Sequence, residues 1–150
     1  MDEKSLSRLE LNKVLSACAD YACLDGTKAI FAGLSPSTDV AEVRDKLART
    51  AECVKLLFRY GISGIEYFPD VEDLLVRASK RSTLSCAELR QVNLLLRSAR
   101  IAYTSINGVD DGEIVAIKGD SARIYYDKNL EDDITEKIIS DDEVSDHASS

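Results

Sequence analysis

Two acidic clusters stand near the end of the chain, Asp132-Asp133-Glu136 and Asp141-Asp142-Glu143. Grouped carboxylates suit hard divalent cations, but the D-x-D-x-D-G order of a calcium loop is absent. A solvated acidic face is the simpler reading. His147 is the single histidine and sits in an acidic, polar stretch. A general base must be held in place by a second group, and none is evident there. Cys18, Cys23, Cys53 and Cys86 form no C-x-x-C pair and have no histidine near them. Zinc ligation is therefore not expected, and small thiols buried on helical faces are. Gly61-x-x-Gly64 and Gly108-x-x-x-Gly112 lack the lysine and the strand–loop–helix setting of a phosphate-binding loop, so they read as turns. Neither G-x-S-x-G nor H-E-x-x-H occurs. These residues point to a segment with no catalytic group, no metal and no cofactor of its own.

One basic group remains. Arg77, Lys80, Arg81, Arg90, Arg97 and Arg100 fall on two neighbouring helical stretches and could touch nucleic acid or an adjoining domain. No aromatic residues interleave with them as in a base-stacking platform. The alternative is the ordinary polar face of two amphipathic helices.

The elements that must carry these groups follow from composition and periodicity. The chain has 150 residues, with 45% apolar and 31% charged residues, which suits one globular domain. No apolar run reaches the length of a membrane span, and the amino terminus lacks a secretory signal, so a cytoplasmic location is expected. The net charge of −8 is unevenly spread. Residues 1–126 hold 17 basic and 18 acidic side chains, and residues 127–150 hold 2 and 9. A nearly neutral body with an acidic end should not bind nucleic acid strongly by itself.

Apolar spacing of three and four predicts a helix over 5–22 through Leu11, Val14, Leu15, Cys18 and Ala22, widened by Leu6 and Leu9. A second helix should cover 24–33, with Ile30 and Phe31 inward. Pro36 breaks the chain. Asp39 is a good N-cap, with Glu42 three residues on as in a variant capping box. Val40, Val43, Leu47, Ala51, Val54 and Leu57 mark the buried face of the helix that follows, and Gly61 supplies a left-handed stop. A fourth helix starts near Pro69-Asp70, with Val71, Leu74, Leu75 and Ala78 as its apolar side. Ser85-Cys86-Ala87-Glu88 matches the S-x-x-E capping box of a fifth, which carries Leu89, Val92, Leu96, Ala99 and Tyr103 to a stop at Asn107-Gly108. Residues 113–126 are ambiguous. Ile114, Ile117 and Ile124 fit a helix, whereas two β-rich runs around Gly119-Asp120 fit a hairpin, which local reasoning favours slightly. A short helix over 130–138 places Leu130, Ile134 and Ile138 four apart. The acidic end, 139–150, reads as partly extended. Tyr67, Phe68, Tyr125 and Tyr126 are either core or surface left uncovered, which would favour dimerisation. The fold class is mainly α: an amphipathic bundle of about six helices with a small extended or hairpin element near the carboxyl end.

Several segments, in order, resemble the start of the bacterial type-2 MutS family. Leu6-Ser7-Arg8-Leu9-Glu10-Leu11-Asn12-Lys13-Val14-Leu15 is similar to a "TLEFDKIL"-type run. Leu34-Ser35-Pro36-Ser37-Thr38-Asp39 with Glu42-Val43-Arg44 resembles "LxPSTDxxEIR", and Leu84-Ser85-Cys86-Ala87-Glu88-Leu89 resembles "LSPEEL". Asn129-Leu130-Glu131-Asp132-Asp133-Ile134 is like "LEEEIDRAI", and Asp141 to Ser149 is like "DDGEILDSAS". Each motif alone is weak; five in the family's order are much stronger. The pattern departs at 61–67 and 107–126; in the second stretch the family would continue as helix, and placing Ile117, Ile124 and Leu130 on the family's leucines restores helix there, which is the reading followed.

The resemblance implies that residues 1–150 are one unit, the amino-terminal part of a core or lever domain that transmits movement and is not catalytic. ATP and magnesium would belong to an ATPase domain elsewhere in the parent, often joined by an Smr nuclease domain. Implied partners are the remainder of its own chain, a second copy in a dimer, and DNA junctions or stalled ribosomes, with no membrane. Structural residues would be Val43, Leu47, Val54, Leu89 and Leu96. The rival reading is a free-standing helical module that binds another protein.

Overall fold

A computed structural model describes residues 10–63 and 65–146. The proposed helical positions Leu6 and Leu9, together with Gly64 and His147, lie outside the described residues. The fold is mainly α: the described residues hold seven helices and a single antiparallel bridge between Ile138 and Val144. The chain divides into two compact units between Ala51 and Glu52.

In the first unit, α1 (Leu11–Asp20) packs against α2 (Asp25–Ala32). The long helix α3 (Val40–Tyr60) begins there. Asp39 caps it as its sequence position predicts: Oδ1 accepts the N–H groups of Ala41 at 2.8 Å and Glu42 at 3.4 Å. The reciprocal half of the box runs through a third residue. The Asp39 N–H donates to Ser37 Oγ at 3.1 Å, and the Ser37 hydroxyl donates to the Glu42 carboxylate.

No described residue of this first unit is buried. Val14, Tyr21, Ile30, Val40 and Leu47 are all exposed. Leu47, expected in the core, is 64% exposed, and Val43 is only partly covered. Periodicity identifies the apolar face of a helix but not whether a second surface lies over it. Cys18 and Cys23 are exposed for the same reason, and Cys53 is exposed as well; only Cys86 is partly covered. Buried thiols were the expectation, and these positions correct it.

The second unit holds the rest of α3, then α4 (Glu72–Ser79), α5 (Cys86–Asn107), α6 (Ala116–Ser121) and α7 (Lys128–Lys137). Gly61 ends α3 with φ 68°, its N–H donating to Leu57 O at 3.2 Å, which is the left-handed stop expected there. Ser85 opens α5 with a complete capping box. Arg81 ends α4 at φ 63°. Its N–H donates to Ala78 O at 2.8 Å and the Ser82 N–H to Arg77 O at 3.1 Å, the bond pattern of a Schellman stop. Glycine normally fills that position because a Cβ there crowds the backbone.

Two apolar clusters form the core. Leu56, Val109 and Ile114 meet with Tyr60, Ile62, Ile106 and Ile117 against them. Val92, Leu96 and Ile134 form the other, with Leu84, Leu89 and Ile138. Leu96 is buried and Leu89 partly so, as expected, but Val54 is 49% exposed. Leu56, not Val54, is the residue of α3 that faces the core here. Ser98, buried at the middle of α5, donates to Glu66 O at 2.9 Å and ties the 65–71 segment to that helix. Tyr67 and Tyr125 are exposed, whereas Phe68 and Tyr126 are half-buried, the Tyr126 ring lying 5.3 Å from that of Tyr103.

Residues 113–126 form no hairpin: Ala116 to Ser121 are helical. The missing local signal for helix is supplied from α3. The Glu52 carboxylate accepts the N–H groups of Ala116 at 3.1 Å and Ile117 at 2.8 Å, satisfying donors that open a helix and have no partner within it.

Candidate functional site

Four of the six basic residues meet carboxylates. Arg77 pairs with Glu88 at 2.6 Å, Arg90 with Asp141 at 3.4 Å, Arg97 with Glu66 at 3.7 Å, and Arg100 with Glu131 at 2.7 Å. Lys80 and Arg81 stand in the turn after α4 without a carboxylate partner among the described residues. Three carboxylates of the acidic clusters, Asp132, Asp133 and Asp141, also have cationic partners. Lys128 pairs with Asp132 and Lys137 with Asp133. No group of three or more His, Cys, Asp or Glu among the described residues is arranged to hold a metal ion.

Two carboxylates that sequence reasoning passed over organise the second unit. The first is Glu131 on α7, only 7% exposed. Arg100 on α5 grips it in parallel: Nε donates to Oε2 and Nη2 to Oε1, both at 2.7 Å. A planar guanidinium matches a carboxylate in this two-point manner, which fixes orientation as well as charge. The contact with Arg100 holds the Glu131 carboxyl below the usual carboxylate range against the opposing effect of burial. The apolar stripe of α7 is therefore not Leu130, Ile134 and Ile138, as the spacing of four suggested. Leu130 is exposed, and Glu131 stands three residues before Ile134 and seven before Ile138 on the inward side. A charge at helical spacing with two isoleucines is the signal that could have found it.

The second is Asp111, in the loop after α5, whose side chain is 10% exposed. Its Oδ1 accepts the Glu113 N–H at 2.9 Å and its Oδ2 accepts the Tyr60 hydroxyl at 2.8 Å. Lys55 Nζ lies 3.2 Å away and Arg59 Nη1 3.5 Å away. The backbone donor of Glu113, then Tyr60, outweigh burial and bring its pKa down from 3.8 to about 2. Tyr60 is pushed up in return by that same hydrogen bond, and Lys55 is pushed up by its contact with Glu113. Every member is an ion or donor already satisfied. This arrangement fastens the end of α3 to the loop beyond α5.

The first unit offers a different feature. An apolar groove of about 340 Å³ is lined by Leu11, Leu15, Leu34, Pro36, Val43 and Leu47. Lys46 is the one ionisable residue in its lining, and the predominance of apolar side chains is the character of a packing surface.

No family profile matches the chain. Individual proteins do. The chain is 34% identical over 152 residues to a protein named Endonuclease MutS2 from Clostridioides difficile (strain 630), covering 100% of this chain and 19% of that protein. It is 33% identical over 151 residues to Endonuclease MutS2 of Clostridium botulinum (strain Okra / Type B1), and 31% identical over 150 residues to that of Lachnospira eligens, again over 100% of this chain and 19% of each relative. The chain thus spans about a fifth of the length of the relatives it matches. Matched from end to end, the chain is similar to one segment of those longer MutS2 proteins.

Proposed function

We propose that this chain is the amino-terminal core segment of a MutS2 protein, a non-catalytic part that carries movement between a remote ATPase domain and a clamp on DNA junctions or stalled ribosomes. The observation that carries the reading is the match of the entire chain to one fifth of proteins named as endonucleases. ATP hydrolysis with magnesium, nuclease activity, dimerisation and a cytoplasmic location are then properties of the whole protein. No described helix is long and apolar enough to cross a membrane.

The physical support is stiffness. To relay displacement, a part must move as a body, and helices cross-braced by buried ion pairs do so. The helix α5 is held at three points along its length: Ser98 to Glu66, Arg100 to Glu131, and its carboxyl end through Asn107 to Ser121 at 3.0 Å. The uncovered groove of the first unit suits a surface that the remainder of the longer chain packs against.

The test uses the full-length protein. Arg100→Met should leave ATP turnover without target intact and weaken the response of that turnover to DNA or ribosomes. Hydrolysis of ATP or cleavage of DNA by the purified 150-residue chain would overturn the reading, as would a fully coupled Arg100→Met protein. A second reading, a free-standing helical interaction module, draws on the two closed clusters of the second unit. A monomer by light scattering that binds no hydrophobic dye would favour it.

A further inference from the structure

In the second unit, the Lys and Arg side chains are almost all taken. Lys55, Arg59, Arg77, Arg90, Arg97, Arg100, Arg123, Lys128 and Lys137 each meet a carboxylate, and Lys118 donates to Val109 O. The two without such a partner among the described residues are consecutive, Lys80 and Arg81, at the tip between α4 and α5.

Their surroundings are donor-rich. Ser82 and Thr83 follow, both exposed, and residues 79–87 contain no carboxylate. The nearest one in sequence, Glu88, is occupied by the Ser85 N–H at 2.8 Å and by Arg77 at 2.6 Å. The backbone beneath is fixed by the two bonds of the Schellman stop, with Arg81 at φ 63° where glycine would sit without strain. A strained position kept by a cation is a reason to ask what that cation meets. The tip offers two cationic groups and two hydroxyls able to donate. Closely spaced anionic oxygens are the matching acceptor, and a polyanion also releases counterions when cations replace them.

We propose that the turn Lys80-Arg81-Ser82-Thr83 is a phosphodiester contact, made when the full-length protein grips nucleic acid. This rests on the functional reading above. It does not require the segment to bind by itself, which its net charge of −8 opposes. The contact is to backbone and therefore carries no sequence preference.

The experiment is a salt titration of binding by the full-length protein, with branched duplex DNA in one arm and structured RNA of equal length in the other. The variant is Lys80→Gln with Arg81→Gln, which removes both charges and keeps the backbone demand at position 81. For DNA the slope of log K against log salt should fall by about two, and affinity at low salt should drop roughly tenfold, equally across sequences. The same loss confined to the RNA arm would identify RNA as the source of the phosphates. Arg123→Gln, a paired surface cation, should change neither quantity. An unchanged slope in a variant that still binds would overturn the contact and leave the functional reading standing. Failure of the unaltered protein to bind either nucleic acid would remove both.

Discussion

Arg100 and Glu131 face each other across α5 and α7 through two parallel hydrogen bonds of 2.7 Å, with the Glu131 side chain 9% exposed and that of Arg100 27%. Removing one partner of such a pair leaves the other charge without compensation in a dry site. Arg100→Met or Glu131→Leu alone should destabilise the chain by about 2 kcal/mol, and the two together should recover most of that loss. Urea unfolding of the two single variants and the double variant gives the coupling directly. Additive losses would mean that the two side chains do not act as a pair.

Asp111 predicts the acid limb of stability. Its pKa is about 2 in the folded chain against 3.8 ordinarily. A depressed folded value means stabilisation that is complete above the unfolded pKa and is lost as pH falls through the folded one. Glu131, also lowered, acts with the same sign. The unaltered chain should therefore weaken steeply from about pH 4 to pH 2. Asp111→Asn should be less stable at pH 7 and lose less on acidification. Parallel curves for the two proteins between pH 5 and pH 2 would contradict the assignment.

Leu47 and Leu96 should respond oppositely to charge. Leu96 is buried in the α5–α7 cluster, whereas Leu47 lines the open groove of the first unit. Leu96→Asp should unfold the second unit, because an unpaired charge in a packed core is strongly destabilising. Leu47→Asp should change stability by no more than about 0.5 kcal/mol and reduce binding of a hydrophobic dye. Thermal melts with dye titration check both, and a Leu47→Asp chain that unfolds would place that residue under cover.

Arg81→Gly should raise stability by about 0.5–1 kcal/mol, since glycine adopts the left-handed backbone without the penalty of a Cβ. The gain is smaller than the strain removed because glycine also loosens the unfolded chain. A lowered melting temperature would show that the Arg81 side chain contributes more to the fold than its backbone strain removes.

Local chemistry was legible in the sequence where a single turn of chain decides it. Asp39 and Ser85 cap the helices they precede, and Gly61 stops the one it follows. Features that depend on residues far apart were not legible. The α6 helix is stabilised by a carboxylate 64 residues earlier, so its own residues read as a hairpin. The spacing of Glu131 with Ile134 and Ile138 marks an inward position, but nothing near it in the chain names Arg100 as the partner that meets it there. Leu47 and Val54 share the spacing of core residues, yet an apolar stripe records a need for cover and not the cover itself. Spacing counts the six arginines and lysines but ignores the carboxylates that meet four of them.

Glu52 also sets an order of events. It lies on a helix synthesised well before residues 116 and 117 leave the ribosome, so the acceptor is waiting when its donors emerge. During synthesis α6 can start on a ready-made template, and the stretch from 108 to 124 has little time to explore the extended pairing its sequence would otherwise allow. A circular permutant that makes α6 first would lose that head start, and its nascent chain would linger in forms open to aggregation.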